Sequence, residues 1–362
     1  MESSQIRVAQ IMGKMNNGGV EAVVMNYYRA IDKSKIQFDF IVDEGSCCPQ
    51  KDEIEKLGGK VIFVPPYSHF FKYQKALQRI FRENDYKIVH SHITTLNVFP
   101  LRVAKKCGIK IRISHAHSTA GRGEPIRNAI KYILRLFSKL YPTHLFACGE
   151  YAGRWLYGSK SFEKGRVTVI KNAVDSERFR YDSSKGKELR KSLGIKENTI
   201  VIGNIGRFVS QKNHMFLIKT FKAIHSINQN TVLAIIGDGP LENKIKRYVE
   251  DKKISDSVLF LGIKSNTAPY YNLFDCFMLP SIYEGLPVVG IEAQFNGLTC
   301  LFSNRMTKEI LINSNSYMLP LSKKRWINIP SLERVEPNAN ALDEYKINVV
   351  SNRLLTIYEE GL

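Results

Sequence analysis

Short apolar runs rich in β-branched residues punctuate the chain, and between them the apolar positions recur at helical spacing. In the first half the runs are IRVAQIM (6–12), FDFIV (38–42), KVIFV (60–64), IVHSH (88–92), IRISHAH (111–117), HLFAC (144–148) and VTVIKN (167–172). Helical patterns fall near 19–31, 50–57, 72–83, 96–107, 125–140 and 149–157. Alternation of strand and helix at this interval predicts a parallel sheet with helices on both faces. The pattern then restarts, with strands at 200–206, 231–237, 258–262, 276–280 and 298–303 and helices near 212–227, 240–252, 267–273 and 288–296. A helical segment at 339–359 closes the chain, and the mixed stretch 305–335 matches neither period.

Two such series predict an α/β protein of two doubly wound, Rossmann-like domains. A length of 362 residues agrees with two. The polar stretch from Asp175 to about Lys187 reads as the boundary. The expected division is 1–178, 179–340 and a terminal helix, 341–362, packing back toward the first domain.

Composition narrows the class. Apolar content of 44% with 24% charged residues is that of a globular protein able to bury sizeable cores. The six cysteines show no paired spacing, so neither a disulfide framework nor a metal site is expected, and reduced thiols in the cytoplasm fit best. The first residues lack the pattern of a signal peptide, and no apolar run approaches the roughly 20 residues that span a bilayer. The expectation is a cytoplasmic protein that could lie on the inner face of the plasma membrane.

The net charge is +19 and uneven: residues 1–175 hold 28 basic and 15 acidic side chains, residues 176–362 hold 25 and 19. From Arg102 to Lys139 there are ten basic residues and a single acid, Glu124. Such a field attracts phosphates, acidic headgroups or nucleic acid, or serves solubility alone. Within it Arg127, Lys131, Arg135 and Lys139 recur every four residues, with Ile126, Ile130, Ile133, Leu134, Phe137 and Leu140 between them. A basic amphipathic helix of this kind either packs its apolar side on the sheet or rests on an anionic membrane.

Three loops can carry chemistry. Gly18 and Gly19 follow the first strand and precede a helix, so backbone N–H groups there can approach a phosphate or sugar. Arg207 and Lys212 follow the strand that opens the second series, at a spacing that lets a planar fork and a point charge meet one diphosphate. In LPSIYEGLPVVGIEAQ (279–294), Glu284 sits in a loop, Pro287 is placed to start a helix, and Glu292 falls in its second turn. Two carboxylates flanking a helix N-terminus suit a ligand with hydroxyls on both sides of a diphosphate, as in a nucleotide sugar.

With these residues the chain resembles glycosyltransferase family 4, the retaining transferases of the GT-B fold. GGVE (18–21), GRFVSQKN (206–213), IIGDGP (235–240) and LPSIYEGLPVVGIEAQ (279–294) follow the family's order, and VIKNAVDSERF (169–179) resembles its interdomain stretch, with Ala173 where Gly is usual. Gly297-Leu298-Thr299 replaces a common Gly-x-Pro, at a strand entry rather than at the site. The resemblance implies two domains facing across a cleft. It implies that Arg207 and Lys212 bind and stabilise the leaving diphosphate, that Glu284, with Gly285 and Leu286 beside it, contacts the transferred sugar, and that Glu292 holds the ribose. Gly18 and Gly19 would reach the donor phosphate. Either His115 or His117 would be the family's cleft histidine, with His117 favoured because it precedes a small polar residue at a loop start.

The chain contains no Asp-x-Asp triplet, so fixed cations are expected to replace a metal and no cofactor is implied. The expected activity is transfer with retention from a nucleotide sugar, UDP being the family's commonest, to a glycan or lipid-linked saccharide. The nearest resemblance is to transferases of bacterial capsular and extracellular polysaccharide assembly. A sugar-nucleotide epimerase of the same fold is disfavoured by the paired glutamates and the cation pair. A nucleic-acid-binding protein is disfavoured because no aromatic-basic RNA motif or helix-turn-helix pattern is present, so no nucleic-acid partner is expected.

Overall fold

The computed structural model describes residues 5–16, 18–121 and 125–361; Arg122 and Glu124 of the basic stretch lie outside them. The chain forms two compact units. One runs to Ala173 and takes back the segment from Glu344 onward; the other is Val174–Asp343.

The first unit is built on seven parallel strands: β1 (Ile6–Gly13), β2 (Ile36–Asp43), β3 (Lys60–Val64), β4 (Ile88–Ser91), β5 (Ile111–Ala116), β6 (His144–Ala147) and β7 (Val167–Val169), in the order β3-β2-β1-β4-β5-β6-β7. Successive side chains of a strand point to opposite faces. Ala9, Ile11, Ile41 and Val89 therefore pack on one side with Tyr73, Leu77, Ile80, Phe81 and Leu101. Phe38 and Phe40 turn to the other side, where Tyr28 stacks on Phe38 and Tyr358 meets it edge-on. Tyr358 belongs to the last helix, Ile347–Glu360, which is tied to this unit by Arg353 donating to the Val169 carbonyl (2.9 Å) and by Lys35–Glu359 (3.2 Å).

The second unit holds six parallel strands: β8 (Ile200–Ile205), β9 (Thr231–Ile236), β10 (Val258–Phe260), β11 (Cys276–Leu279), β12 (Thr299–Ser303) and β13 (Ser316–Leu319), in the order β10-β9-β8-β11-β12-β13. Ile202, Leu233, Ile235, Met278 and Leu301 form its core with Leu217, Ile218, Phe221 and Trp326. Strand β13 comes from the stretch that fitted neither period: it is an edge strand whose four residues are all half-buried, so no alternation marks it. The final helical pattern is two helices, Ala339–Asp343 and Ile347–Glu360, rather than one.

Candidate active site

The second sheet reverses its order between β8 and β11. At such a switch point the connections leaving the two strands diverge and open a crevice at their carboxyl ends. Gly206, Arg207 and Lys212 follow β8; Glu284, Gly285 and Leu286 follow β11; Glu292 lies in the helix Val288–Phe295 behind them.

The two loops are laced together. Ile282 N donates to the Gln211 carbonyl (2.8 Å), and Gln211 Nε2 donates to the Tyr283 carbonyl (3.0 Å) and to Glu284 Oε2 (3.1 Å). Asn213 donates to the Pro280 carbonyl and adopts a left-handed φ of 57°, which asparagine tolerates. That bend separates a single 3-10 turn, Ser210–Lys212, from the helix His214–Ile227. Lys212 is thus displayed ahead of the helix, with its aliphatic stem crossing Gly206: a Cβ there would sit 3.3 Å from Lys212 Cδ and Cε. Gly237 of the GDG turn is equally constrained, since at its φ of 137° a Cβ would fall 2.2 Å from the Gly206 carbonyl oxygen.

Lys212 Nζ reaches Glu284 Oε1 at 2.6 Å, and Ser281 Oγ donates to the same oxygen at 3.0 Å. The carboxylate therefore receives three donors while only 11% exposed, against 17% for Lys212. An ammonium group has three hydrogens, so this pair leaves two for an incoming anion. Arg207 stands exposed at the end of β8. His214, stacked on Phe208 with ring centres 4.3 Å apart, is lowered to about 4 by burial and by the Lys212 charge, and so stays neutral.

Pro287 caps the helix Val288–Phe295 from one residue before its start, rather than forming its first turn, and the helix has no side-chain cap hydrogen bond among the described residues. The first N–H groups of an uncapped helix are donors for an anion. Leu286 is buried beneath the loop and Gly285 is half-buried. Glu292 is buried; Tyr271 Oη donates to its Oε2 at 2.6 Å. Burial pushes its carboxyl up to about 7, against the opposing pull of the Tyr271 bond and the Arg178 charge.

In the first unit the switch point lies between β1 and β4. Gly18 caps the helix Gly19–Ala30, and a Cβ on it would fall 2.3 Å from Glu21 Oε2. Glu21 folds back to accept from Asn16 N (3.2 Å), a variant of the capping box. Gly19 faces open space. His115 lies inside β5 and is fully buried; His117 is the first residue past it and 6% exposed.

The pairing of Lys212 with Glu284, and the support from Gln211, Ser281, Tyr271 and Glu21, go beyond what the sequence revealed. These partners are ordinary polar residues at no recognisable spacing. The histidines of IVHSH were the exception: His90 and His92, like His115 and His117, sit two apart, which places each pair on one face of its strand.

Residues 17–178 match the domain described as Glycosyltransferase Family 4, and residues 186–316 the one described as Glycosyl transferases group 1. The protein named glycosyltransferase EpsF in Bacillus subtilis is 35% identical over 317 residues, spanning 86% of this chain and 82% of that protein. The Escherichia coli UDP-Gal:alpha-D-GlcNAc-diphosphoundecaprenol alpha-1,3-galactosyltransferase is 26% identical, spanning 83% and 80%. The Staphylococcus aureus capsular polysaccharide biosynthesis glycosyltransferase CapH is 23% identical over 98% of both chains. Among solved structures, Anabaena HepE in complex with UDP-glucose aligns with a TM-score of 0.77 at 14% identity, covering 99% of this chain and all of that one, which shows the shared GT-B fold. A relative this similar over most of its length, with both domains present in order, establishes that the chain belongs to the glycosyltransferases, joining a family 4 domain to a group 1 domain.

Proposed function

We propose that this glycosyltransferase moves a sugar from a UDP-sugar, with retention at the anomeric carbon, to a lipid-linked saccharide in surface-polysaccharide assembly. The observation that carries the donor reading is the Lys212–Glu284 pair, held by Gln211 and Ser281 at the switch point and followed by an uncapped helix. Lys212 and Arg207 take the diphosphate and stabilise the charge that develops as it leaves, in place of a metal. Glu284 accepts from hydroxyls of the transferred sugar, and Glu292 accepts from the ribose. With a donor-bound lysine on one side of it, Glu284 positions the sugar rather than attacking it, and the leaving phosphate takes the proton of the acceptor hydroxyl. In the first unit, Gly18 and Gly19 at the start of the first helix offer backbone N–H groups to a phosphate. The E. coli relative, whose name carries both UDP-Gal and a diphosphoundecaprenol acceptor, supports the two substrate classes.

The acceptor reading draws on the helix Pro125–Arg135. None of its side chains is buried among the described residues. Ile126 and Ile133 are 78% and 60% exposed and Arg135 lies over Trp155; past the helix, which ends five residues short of the expected 125–140, Leu136 is 79% exposed and Lys139 bonds Ser161 Oγ. The apolar side of the helix is not spent on the sheet, and with basic neighbours it suits an anionic bilayer. Among the described residues no helix is long and apolar enough to cross a membrane, so association would be peripheral.

A thermal-shift screen against UDP-, GDP- and ADP-sugars tests the donor, and NMR of the released or transferred sugar reads the anomeric configuration. Stabilisation by UDP-sugars with an α product from an α donor is expected. A preference for another nucleotide, or an inverted product, overturns the corresponding part.

A further inference from the structure

Two adjacent strands of the first sheet turn four histidines to one face. His90 lies in β4 and His92 one residue past its end; His115 lies in β5 and His117 one residue past its end. A spacing of two keeps each pair on the same side. All four are buried, and the most accessible, His117, is 6% exposed. Along the strands the rings stack, with centres 4.1 Å apart for His90 and His92 and 4.0 Å for His115 and His117. Across the strands His90 Nε2 meets His115 Nδ1 at 3.1 Å, and His92 Nδ1 meets His117 Nε2 at 2.9 Å. One nitrogen of every ring is thus turned toward the other rings.

Hydrogen bonding among the rings accounts for only part of this arrangement. A neutral imidazole has one N–H and one lone pair. Gln10 Oε1 takes the His92 Nε2 hydrogen (2.8 Å), which leaves His92 Nδ1 a lone pair. His117 would then spend its hydrogen on His92 and keep a bare Nδ1, whereas the Asn172 side chain acts on this ring in favour of a hydrogen. His117 Nδ1 and His115 Nε2 are buried with no full hydrogen bond among the described residues, and an ion shared by the rings is one cause of such a deficit.

An ion among the four inward lone pairs would send all four hydrogens outward. There His92 faces Gln10 Oε1, His90 Nδ1 faces Tyr358 Oη (2.7 Å), and the Ile170 carbonyl and the Asn172 side chain draw a hydrogen to His115 and His117. A ligating histidine offers its other N–H to an outer acceptor of this kind. Ligands about 2.0 Å from a tetrahedral ion are about 3.3 Å apart, close to the spacing of the two inward pairs. Ligand atoms of His90, His92 and His115 all lie within 4.8 Å of one another. Burial keeps the four rings neutral, the form that ligates, and an ion keeps them uncharged too, so acid opposes the folded unit with or without it. Imidazole nitrogens suit a transition metal rather than magnesium or calcium. A buried site with four protein ligands has no open position for water and is structural.

We propose that His90, His92, His115 and His117 hold one zinc ion, which clamps β4 to β5 and, through the His90–Tyr358 bond, seats the last helix on the sheet. The site lies within the first unit, and its test reads metal rather than turnover.

The untagged full chain, purified from zinc-supplemented medium without chelator and dialysed at pH 7.5, should carry one zinc per chain by inductively coupled plasma mass spectrometry. Denatured, stripped with EDTA and refolded, it should take up one cobalt ion with the visible bands of a tetrahedral site, and zinc should bleach them. Zinc present on refolding should raise the first unit's melting transition by several degrees and leave the other in place. His92→Gln and His115→Gln should lose the metal, while His69→Ala and Cys47→Ser, at exposed positions, should keep it. If the two glutamine variants do not fold, the metal content and cobalt spectrum of the wild-type chain decide. A wild-type chain that is metal-free as purified and takes up no cobalt, or binds it with an octahedral spectrum, overturns the site. So does metal retained by folded His115→Gln or lost in Cys47→Ser.

Discussion

Tyr271 Oη lies 2.6 Å from Glu292 Oε2, and it is the hydrogen bond that partly offsets the burial of a carboxyl raised to about 7. In the free protein near neutral pH this group is divided between its two forms. A ribose diol donates to the ionised form, so donor binding must draw on the deprotonated fraction. UDP affinity measured by calorimetry should be level above pH 8 and about tenfold weaker at pH 6, where roughly a tenth of the group is ionised. Glu292→Gln should bind weakly with no dependence of this kind. A flat profile in the wild-type protein would remove Glu292 from the ribose.

Lys212→Ala leaves Glu284 with two donors, Ser281 and Gln211, so the fold should survive and the effect should fall on turnover. If Lys212 and Arg207 stabilise the leaving diphosphate as donors of an oxyanion do, each alanine variant should lower kcat by roughly 10²-fold. Because Lys212 and Glu284 touch, the double variant with Glu284→Gln should fall short of the sum of the single effects, whereas Arg207→Ala with Glu284→Gln should lie closer to it. Unchanged turnover in both single variants refutes the assignment.

Much of this arrangement could be read from the chain. The strand runs predicted every strand but β13, whose half-buried SYML at the sheet edge gives neither alternation nor an apolar run. The last helix was expected whole, but Glu344–Lys346 interrupts it. Lys212 and Glu284 were legible as chemistry because GRFVSQKN and LPSIYEGLPVVGIEAQ, the stretches that hold them, follow the order of the family they resemble; alone, each would read as a solvated loop charge. Their pairing was not, because it is made by contacts between two loops far apart in sequence, through the Ile282–Gln211 and Asn213–Pro280 bonds. The sequence expectation placed Lys212 at the start of a helix. It ends a 3-10 turn instead, the left-handed Asn213 separating it from the helix that begins at His214, and its ammonium group pairs with Glu284 while Arg207 is exposed.

The exposed apolar residues of the basic helix can be changed without touching a core. Ile126→Glu with Leu136→Glu should leave the melting temperature within a few degrees, since both side chains are almost fully exposed. Binding to phosphatidylglycerol vesicles should drop more than tenfold, because burying each such side chain contributes about 1.5–3 kcal/mol. Sedimentation with vesicles checks this. Equal binding by the variant, or no binding by the wild-type protein, shows that the helix serves something other than an anionic bilayer.

The two units should respond to mild acid unequally. In the second, Glu292 holds its proton up to about pH 7 when folded but has an ordinary carboxyl of about 4.5 when unfolded, so it contributes about 1.4 kcal/mol of stability for each pH unit of fall between those values. His214 of the same unit stays neutral to about pH 4 when folded but takes up a proton near 6.5 when unfolded, and below pH 6.5 it removes as much, so the two nearly cancel. In the first, burial keeps four imidazoles neutral that would take up protons near pH 6.5 once unfolded. There the unfolded state binds more protons below pH 6.5, and each ring removes about 1.4 kcal/mol per pH unit, about 5.6 kcal/mol per pH unit for His90, His92, His115 and His117 together. That is comparable to the whole stability of a domain, so the first unit should begin to unfold between pH 6 and 5 while the second persists. Calorimetry of the intact chain from pH 7.5 to 5.5 should show one transition falling steeply and another staying nearly level. Glu292→Gln leaves His214 unopposed and should make only the level transition fall, which assigns the transitions. If both transitions of the wild-type protein fall together, the four imidazoles of the first unit are not buried neutral in solution.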